Sequence, residues 1–346
     1  MNVIDAIASA APRKGMNDLH QKIDKYVYEI RMIEIDEYLY GMNRKKIDKE
    51  KAYKMIIDVP DSECNAVLSF WKGRISDPGL PFYKSSRIEK SKSRATALYR
   101  RAVDLDIEGM AEAGDQYACT CLGEMYRHGW GVCRNKSVGV KWCRKAAEQG
   151  YADAQFLLGE MYYYGRGVAG NDSTRLEWFL KAVKQGHADA QIQLGHMYSD
   201  GHGVDQNDST AVGWYRKAAE QGNAVAQFLF GRMYANGYGV DVNYSTAGKW
   251  YRKAAEQGHS GAQFNIGEMY ENGWGVDQNY STAVEWYRKA AEGGYADTAA
   301  YAKFNLGMMY EKGWGVDKNE SSAVEWYRKA AEQGNVEAQF KIFFYR

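Results

Sequence analysis

Proline is nearly missing from this 346-residue chain: there are four, Pro12, Pro60, Pro78 and Pro81, and none beyond them. Everything after position 81 is therefore free of the residue that interrupts helices. Cysteine is scarce too. The five are an odd number, and Cys119, Cys121, Cys133 and Cys143 fall close together. That excludes a disulfide framework and favours a reducing, cytoplasmic setting. Their spacing, C-x-C followed by gaps of 11 and 9 residues, fits no common zinc pattern. Charge of either sign is not in excess. The net charge is +1, with 20 Lys/Arg against 18 Asp/Glu in residues 1–114 and 25 against 26 in residues 115–346. No global field thus calls for nucleic acid or an anionic membrane. No apolar run approaches the roughly 20 residues of a membrane-spanning helix. The opening MNVIDAIASAAPRKG has no basic start, and Asp5 breaks its short apolar stretch, so it does not read as a signal peptide.

Catalytic constellations are also wanting. The six histidines are scattered, and no Ser-His-Asp, Cys-His or paired-carboxylate arrangement can be picked out. We expect no catalytic residues, no cofactor and no metal.

What the chain has instead is recurrence. The stretch Asn223–Gly258, NAVAQFLFGRMYANGYGVDVNYSTAGKWYRKAAEQG, returns at a spacing of 36 residues. Its Trp recurs as Trp142, Trp178, Trp214, Trp250, Trp286 and Trp326, and its first-half Gly as Gly123, Gly159, Gly195, Gly231, Gly267 and Gly307. A period of this length signals a solenoid or array. In the first half, Ala226, Phe230, Met233 and Tyr234 form one apolar stripe of an α-helix. Gly237 suits the helix C-terminus, and Asn243 suits the N-cap of a second helix. There Ala247, Trp250, Tyr251, Ala254 and Ala255 make another stripe, closed by Gly258. Each unit is two antiparallel helices that bury their stripes only by stacking on neighbours. The Gly column costs about 1 kcal/mol per residue in mid-helix relative to Ala. A neighbouring helix backbone in close approach is the expected reason for it.

The strings AQF-x-(L/F/I)-G-x-MY, G-x-GV and WYRKAAEQG resemble Sel1-like repeats, relatives of the tetratricopeptide repeats with a longer internal loop. The resemblance spans roughly residues 115–346. It implies an all-α, right-handed α-solenoid, and a family of adaptors and scaffolds rather than enzymes.

Taken in order, residues 1–15 are expected to be disordered, and 16–90 to form an N-terminal helical region and linker. Within it, Leu19, Ile23, Tyr26, Ile30 and Ile33 make an apolar seam of two heptads. This seam could support dimerisation through Leu19–Ile33, but packing within its own region is the preferred reading. A third helix is placed near Ser62–Trp71. The segment Ser76–Ser93 reads as an exposed, locally basic connection. Residues 91–114 are a divergent capping half-repeat, whose helix runs on or breaks before Gly114. Six full repeats follow: 115–150, 151–186, 187–222, 223–258, 259–294 and 295–334. The last is longer by four residues near Thr298–Tyr301, about one helical turn. Residues 335–346 are a C-terminal capping helix, with Phe343 where the Gly recurs.

The recurring G-x-G follows a helix in each repeat and is read as the hairpin turn, not a phosphate loop. Aligned with the repeat, Cys119 takes the Gln column and Cys143 the Tyr column, as small helix residues. His187 and His259 open repeats and are read as interchangeable turn residues. The informative columns are those that vary. One runs Cys121, Leu157, Gln193, Leu229, Asn265 and Asn305. Three residues on come Glu124, Glu160, His196, Arg232, Glu268 and Met308, and four further His128, Tyr164, Asp200, Asn236, Asn272 and Lys312. These spacings share a helix face, the concave face in stacked hairpins of this type, and we expect it to be exposed and to bind a protein or peptide. A secondary set between the turn glycines is Trp130, Arg166, His202, Tyr238, Trp274 and Trp314, residue types common at interface hot spots.

The expected function is a non-catalytic protein-interaction scaffold, cytoplasmic, with no nucleic-acid or membrane partner. The resemblance also offers a bacterial immunity protein that occludes a toxin. A further alternative makes the N-terminal segment, with His20 and Cys64, an effector or enzymatic module carried by the repeats.

Overall fold

The computed structural model describes Met32 and residues 55–59, 66–76, 92–293 and 296–345. The apolar seam around Leu19–Ile33 lies outside the described residues, and so does the basic connection between Ser76 and Lys92. Among the described residues, regular structure is entirely helical. None of the helices is long and apolar enough to cross a membrane.

Two compact units divide the chain, residues 1–170 and 171–346. The first contains α1 (Ala66–Ser76), α2 (Lys92–Asp104), α3 (Ile107–Glu112), α4 (Gln116–His128), α5 (Lys136–Glu148) and α6 (Ala152–Tyr164). The second contains α7 (Asp172–Lys184), α8 (Ala188–Asp200), α9 (Asp208–Glu220), α10 (Ala224–Asn236) and α11 (Tyr244–Glu256). It continues through α12 (Ser260–Asn272), α13 (Tyr280–Ala291), α14 (Ala296–Lys312), α15 (Glu320–Glu332) and α16 (Val336–Phe344).

Capping sets the helix boundaries. Asn135, Asn171, Asn207, Asn243, Asn279 and Asn319 each cap a second helix, the side-chain oxygen accepting from the backbone N–H three residues on. Such a cap contributes about 1 kcal/mol over Ala. First helices α4, α6, α8, α10 and α12 end on Gly129, Gly165, Gly201, Gly237 and Gly273 in the left-handed conformation. The residues that open the first helices do more than turn the chain. His187 and His259 are N-caps, their Nδ1 accepting from Ala190 and Ala262 N–H at 3.2 Å. Asp115, Asn223 and Asn335 do the same with oxygen.

The core lies between the second helix of one repeat and the first helix of the next. Ala247, Tyr251, Ala254 and Ala255 of α11 bury against Ala262, Ile266 and Met269 of α12. Ala283, Val284, Tyr287 and Ala290 of α13 do so against Ala302, Leu306 and Met309 of α14. The four extra residues lengthen α14 to 17 residues, against 13 in α12.

The recurring Gly answers first to a side chain, with a neighbouring backbone next: a Cβ on Gly231 would also lie 3.2 Å from Ala247 O. A Cβ on Gly195, Gly231, Gly267 or Gly307 would sit 2.4–2.7 Å from the ring of Tyr215, Tyr251, Tyr287 or Tyr327, in the second helix of the same repeat. In the first repeat Cys143 stands in for the Tyr, its Sγ 2.4 Å from a Cβ on Gly123. Cys119 stands in for the Gln column as well. Gln155, Gln227 and Gln263 donate to the carbonyl eight residues earlier, and Cys119 Sγ reaches Ala111 O in the same way at 3.3 Å.

The half-repeat before the first full unit is broken rather than continuous. Asp106 takes a left-handed φ of 61° and caps α3. Helix α1, near the expected third helix, belongs to the first compact unit. Its Phe70 packs on Tyr99 of α2, and its Arg74 pairs with Glu124 of α4.

Candidate functional site

Within each unit the varied columns are layered. The column nearest the second helix is interior: Cys121 and Leu157 are buried, and Gln193, Leu229, Asn265 and Asn305 are half-buried. The column furthest out is open, with His128, Tyr164, Asp200, Asn236, Asn272 and Lys312 all exposed.

The middle column corrects the expectation of exposure, because only Arg232 is fully displayed. Glu124 is 5% exposed and committed to Arg74. Glu160, His196, Glu268 and Met308 are half-buried. The cause is local. His196, Glu268 and Met308 directly follow a Gly whose notch a Tyr ring fills, and that ring crowds them too, although Arg232 beside Tyr251 stays exposed.

Those Tyr hydroxyls, which sequence reasoning had not assigned to this face, organise its floor in the second unit. Tyr215 OH and His196 Nδ1 share a hydrogen bond at 3.0 Å. Tyr287 OH donates to Glu271, and Tyr327 OH to Glu311 at 2.7 Å. Burial pushes all three phenols well up, so they remain donors at any physiological pH. The signal was present in the sequence as a Tyr recurring in step with the Gly.

Charge on this face is tuned by burial. The Glu268 carboxyl is raised to about 7, by burial first and then by Glu271. Burial, with a smaller contribution from Arg232, lowers the His196 imidazole against the pull of Asp200. His128 lies on Trp130, centroids 4.4 Å apart. Burial and then Arg127 and Arg74 hold its imidazole down at about 4.

The turn residues divide by environment. Trp130 is stacked between His128 and Tyr99, the latter at 5.0 Å and 2°. Arg166 lies 4.0 Å over the Tyr164 ring. His202 is exposed, and its carbonyl accepts from Arg175. Trp274 and Trp314 stack on Tyr244 and Tyr280, the first residues of the preceding second helices, and remain 43% and 38% exposed. Tyr238 is half exposed.

Between these, the second glycine of each G-x-G presses on the preceding repeat. A Cβ on Gly239 would fall 2.4 Å from the Asp208 carbonyl carbon, and one on Gly275 2.6 Å from Ser245 N. The G-x-G is thus an inter-repeat contact as well as a turn. Among the described residues, no group of three His, Cys, Asp or Glu is placed to hold a metal ion. Cys119, Cys121 and Cys143 are buried, and burial raises their thiols.

Stacked helical hairpins with a Gly–Tyr lock and a G-x-G turn define a helical-repeat protein of the tetratricopeptide-like class. Sel1 repeats match at residues 116–151, 152–187, 188–223, 224–259, 260–295 and 300–335, more than half of the chain. The chain belongs to the Sel1 repeat family, whose members are in general protein-interaction scaffolds. It is similar to a protective antigen of uropathogenic Escherichia coli with an SLR fold, at 32% identity and a TM-score of 0.61. That match covers 94% of this chain and 66% of the antigen, so the chain spans just under two thirds of that relative's length. A Sel1 repeat protein from Oxalobacter formigenes is 32% identical, with a TM-score of 0.59, over 68% of this chain and 92% of that one. An immunity protein from Pseudomonas aeruginosa shares 20% identity over 58% of this chain and 75% of its own, at a TM-score of 0.42. A search of curated proteins finds no match.

Proposed function

We propose that this chain is a non-catalytic scaffold that binds a protein or peptide segment along the first-helix side of its repeats. In the second unit the contacts would come from Asp200, Arg232, Asn236, Asn272 and Lys312. Glu268 would lie beneath them, and Tyr238, Trp274 and Trp314 at the turns would provide secondary contacts. The observation that carries this reading is a row of exposed side chains that differ from repeat to repeat on a skeleton that otherwise repeats. Structural positions recur here because packing demands it, and no packing demand explains the sequence of charges Asp200, Arg232 and Lys312. Balanced overall charge supports a protein partner over nucleic acid.

The test is affinity capture from native lysate with mass spectrometry, comparing wild type with Asp200→Lys, Arg232→Glu, Lys312→Glu. All three sites are exposed, so the triple variant should keep its helical circular dichroism. A partner held by the wild type and lost by the folded variant supports the reading, and a toxin among the captured proteins would make the scaffold an immunity protein. Retention of every partner by the variant would sink it.

A further inference from the structure

The second helices carry their own irregularity. The column two residues before the recurring Trp reads Val140, Leu176, Val212, Gly248, Val284 and Val324. Only the fourth repeat lacks a side chain there. Beside Gly248 lies a cavity of about 530 Å³ between α11 and α12, lined by Ile266, Met269, Tyr270 and Val276 among others. A pocket of this size is in the range that takes a ligand. The Met269 methyl has swung into part of the missing volume, 2.7 Å from where a Gly248 Cβ would stand.

The rim of this notch differs from its neighbours at one position. Lys249 occupies a column that reads Glu285 and Glu325 in the next two repeats. Arg252 and Lys253 complete a basic edge, against the single carboxylate Glu256. Both basic groups are held in place: Arg252 Nη2 donates to Tyr270 OH at 3.1 Å, and Lys253 Nζ lies 4.0 Å over the Trp250 ring. The lost apolar side chain therefore coincides with a Lys where the next two repeats carry Glu. We propose that the Gly248 notch is a second binding site, for an acidic peptide segment of a protein partner. One aliphatic side chain of that segment enters against Ile266, Met269 and Val276, in the place the other repeats fill with Val or Leu. Flanking carboxylates pair with Lys249, Arg252 and Lys253. An apolar anchor supplies affinity and complementary charge supplies orientation and on-rate.

None of the residues lining the notch belongs to the exposed first-helix row, so the two readings fail separately. The probe is a short fluorescein-labelled peptide with one leucine among glutamates, titrated by fluorescence anisotropy beside its leucine-to-serine counterpart and an all-lysine counterpart. The leucine peptide should bind best. Gly248→Val restores the residue of the neighbouring repeats and should weaken binding by about tenfold or more, as should Lys249→Glu. Arg232→Glu should bind the peptide as wild type does. Equal binding of the leucine and serine peptides, or unchanged binding by folded Gly248→Val, would overturn the proposal. So would an equal loss in Arg232→Glu.

Discussion

At the scale of single residues, the packing of this protein turns on glycine and tyrosine. Two glycines of similar helical setting should respond oppositely to alanine. At Gly267 a Cβ would lie 2.5 Å from the ring of Tyr287, which is wholly buried and has nowhere to go. At Gly213, also within a helix, a Cβ meets nothing within 4 Å. Gly213→Ala should therefore raise stability by about 0.5–1 kcal/mol, because alanine restricts the unfolded chain. Gly267→Ala gains the same propensity but overpacks a closed site, and a net loss of about 1–2 kcal/mol is expected. Urea denaturation of the two variants measures both. The recurring Gly was legible in the sequence, but what occupied its notch was not. Recurrence says that a position is constrained and is silent about which atom constrains it. The same limit hid the Glu124–Arg74 pair, whose members lie 50 residues apart with no recurring position to link them.

At the scale of elements, the clip that holds α16 is electrostatic. Glu311 accepts from Lys341 Nζ at 2.9 and 2.8 Å, from Tyr327 OH, and from Tyr345 OH at 2.9 Å. Burial pushes its carboxyl up, but the bonds from Lys341, Tyr327 and Tyr345 together win and bring it down to about 2. A depressed carboxyl stabilises the folded state above the range where the unfolded group ionises, near 4.5. That contribution is lost as the pH falls through about 2. Glu311→Gln should therefore lower the Tm at pH 7, and its gap from wild type should narrow between pH 4.5 and 2. A gap that stays constant down to pH 2 would mean that Glu311 acts through shape and not charge. The helices themselves were readable from apolar spacing and from the Asn and Gly at their ends. The His caps were not, since a histidine that opens a helix looks like any turn residue until its Nδ1 is seen to accept a backbone N–H. In the half-repeat the sequence left open whether the helix ran on, and Asp106 decides for a break.

At the scale of the whole molecule, a 36-residue recurrence was enough to give the class of fold, because the same two stripes must be buried six times over. The proposed binding face was only half legible. Variation between repeats singled out its columns, but depth did not follow from spacing. The residue after each Gly looked as free as the one four positions later, yet in every repeat but the fourth it is the more buried of the two. The Gly248 notch was similarly visible as a missing side chain and invisible as a space.

The second glycine of the G-x-G has a consequence for how such a chain can change length. Gly239 rests on the helix start at Asp208–Ser209, and Gly275 rests in the same way on Tyr244–Ser245. The joints are interchangeable, like identical couplings between carriages. Excision of residues 224–259 would bring Gly275 onto Asp208–Ser209 with every joint intact, and the shortened protein should melt cooperatively with its helices preserved. Excision of half that length would set a first-helix end against the wrong partner, and that chain should fail to fold. Growth and loss in this molecule then proceed by whole carriages.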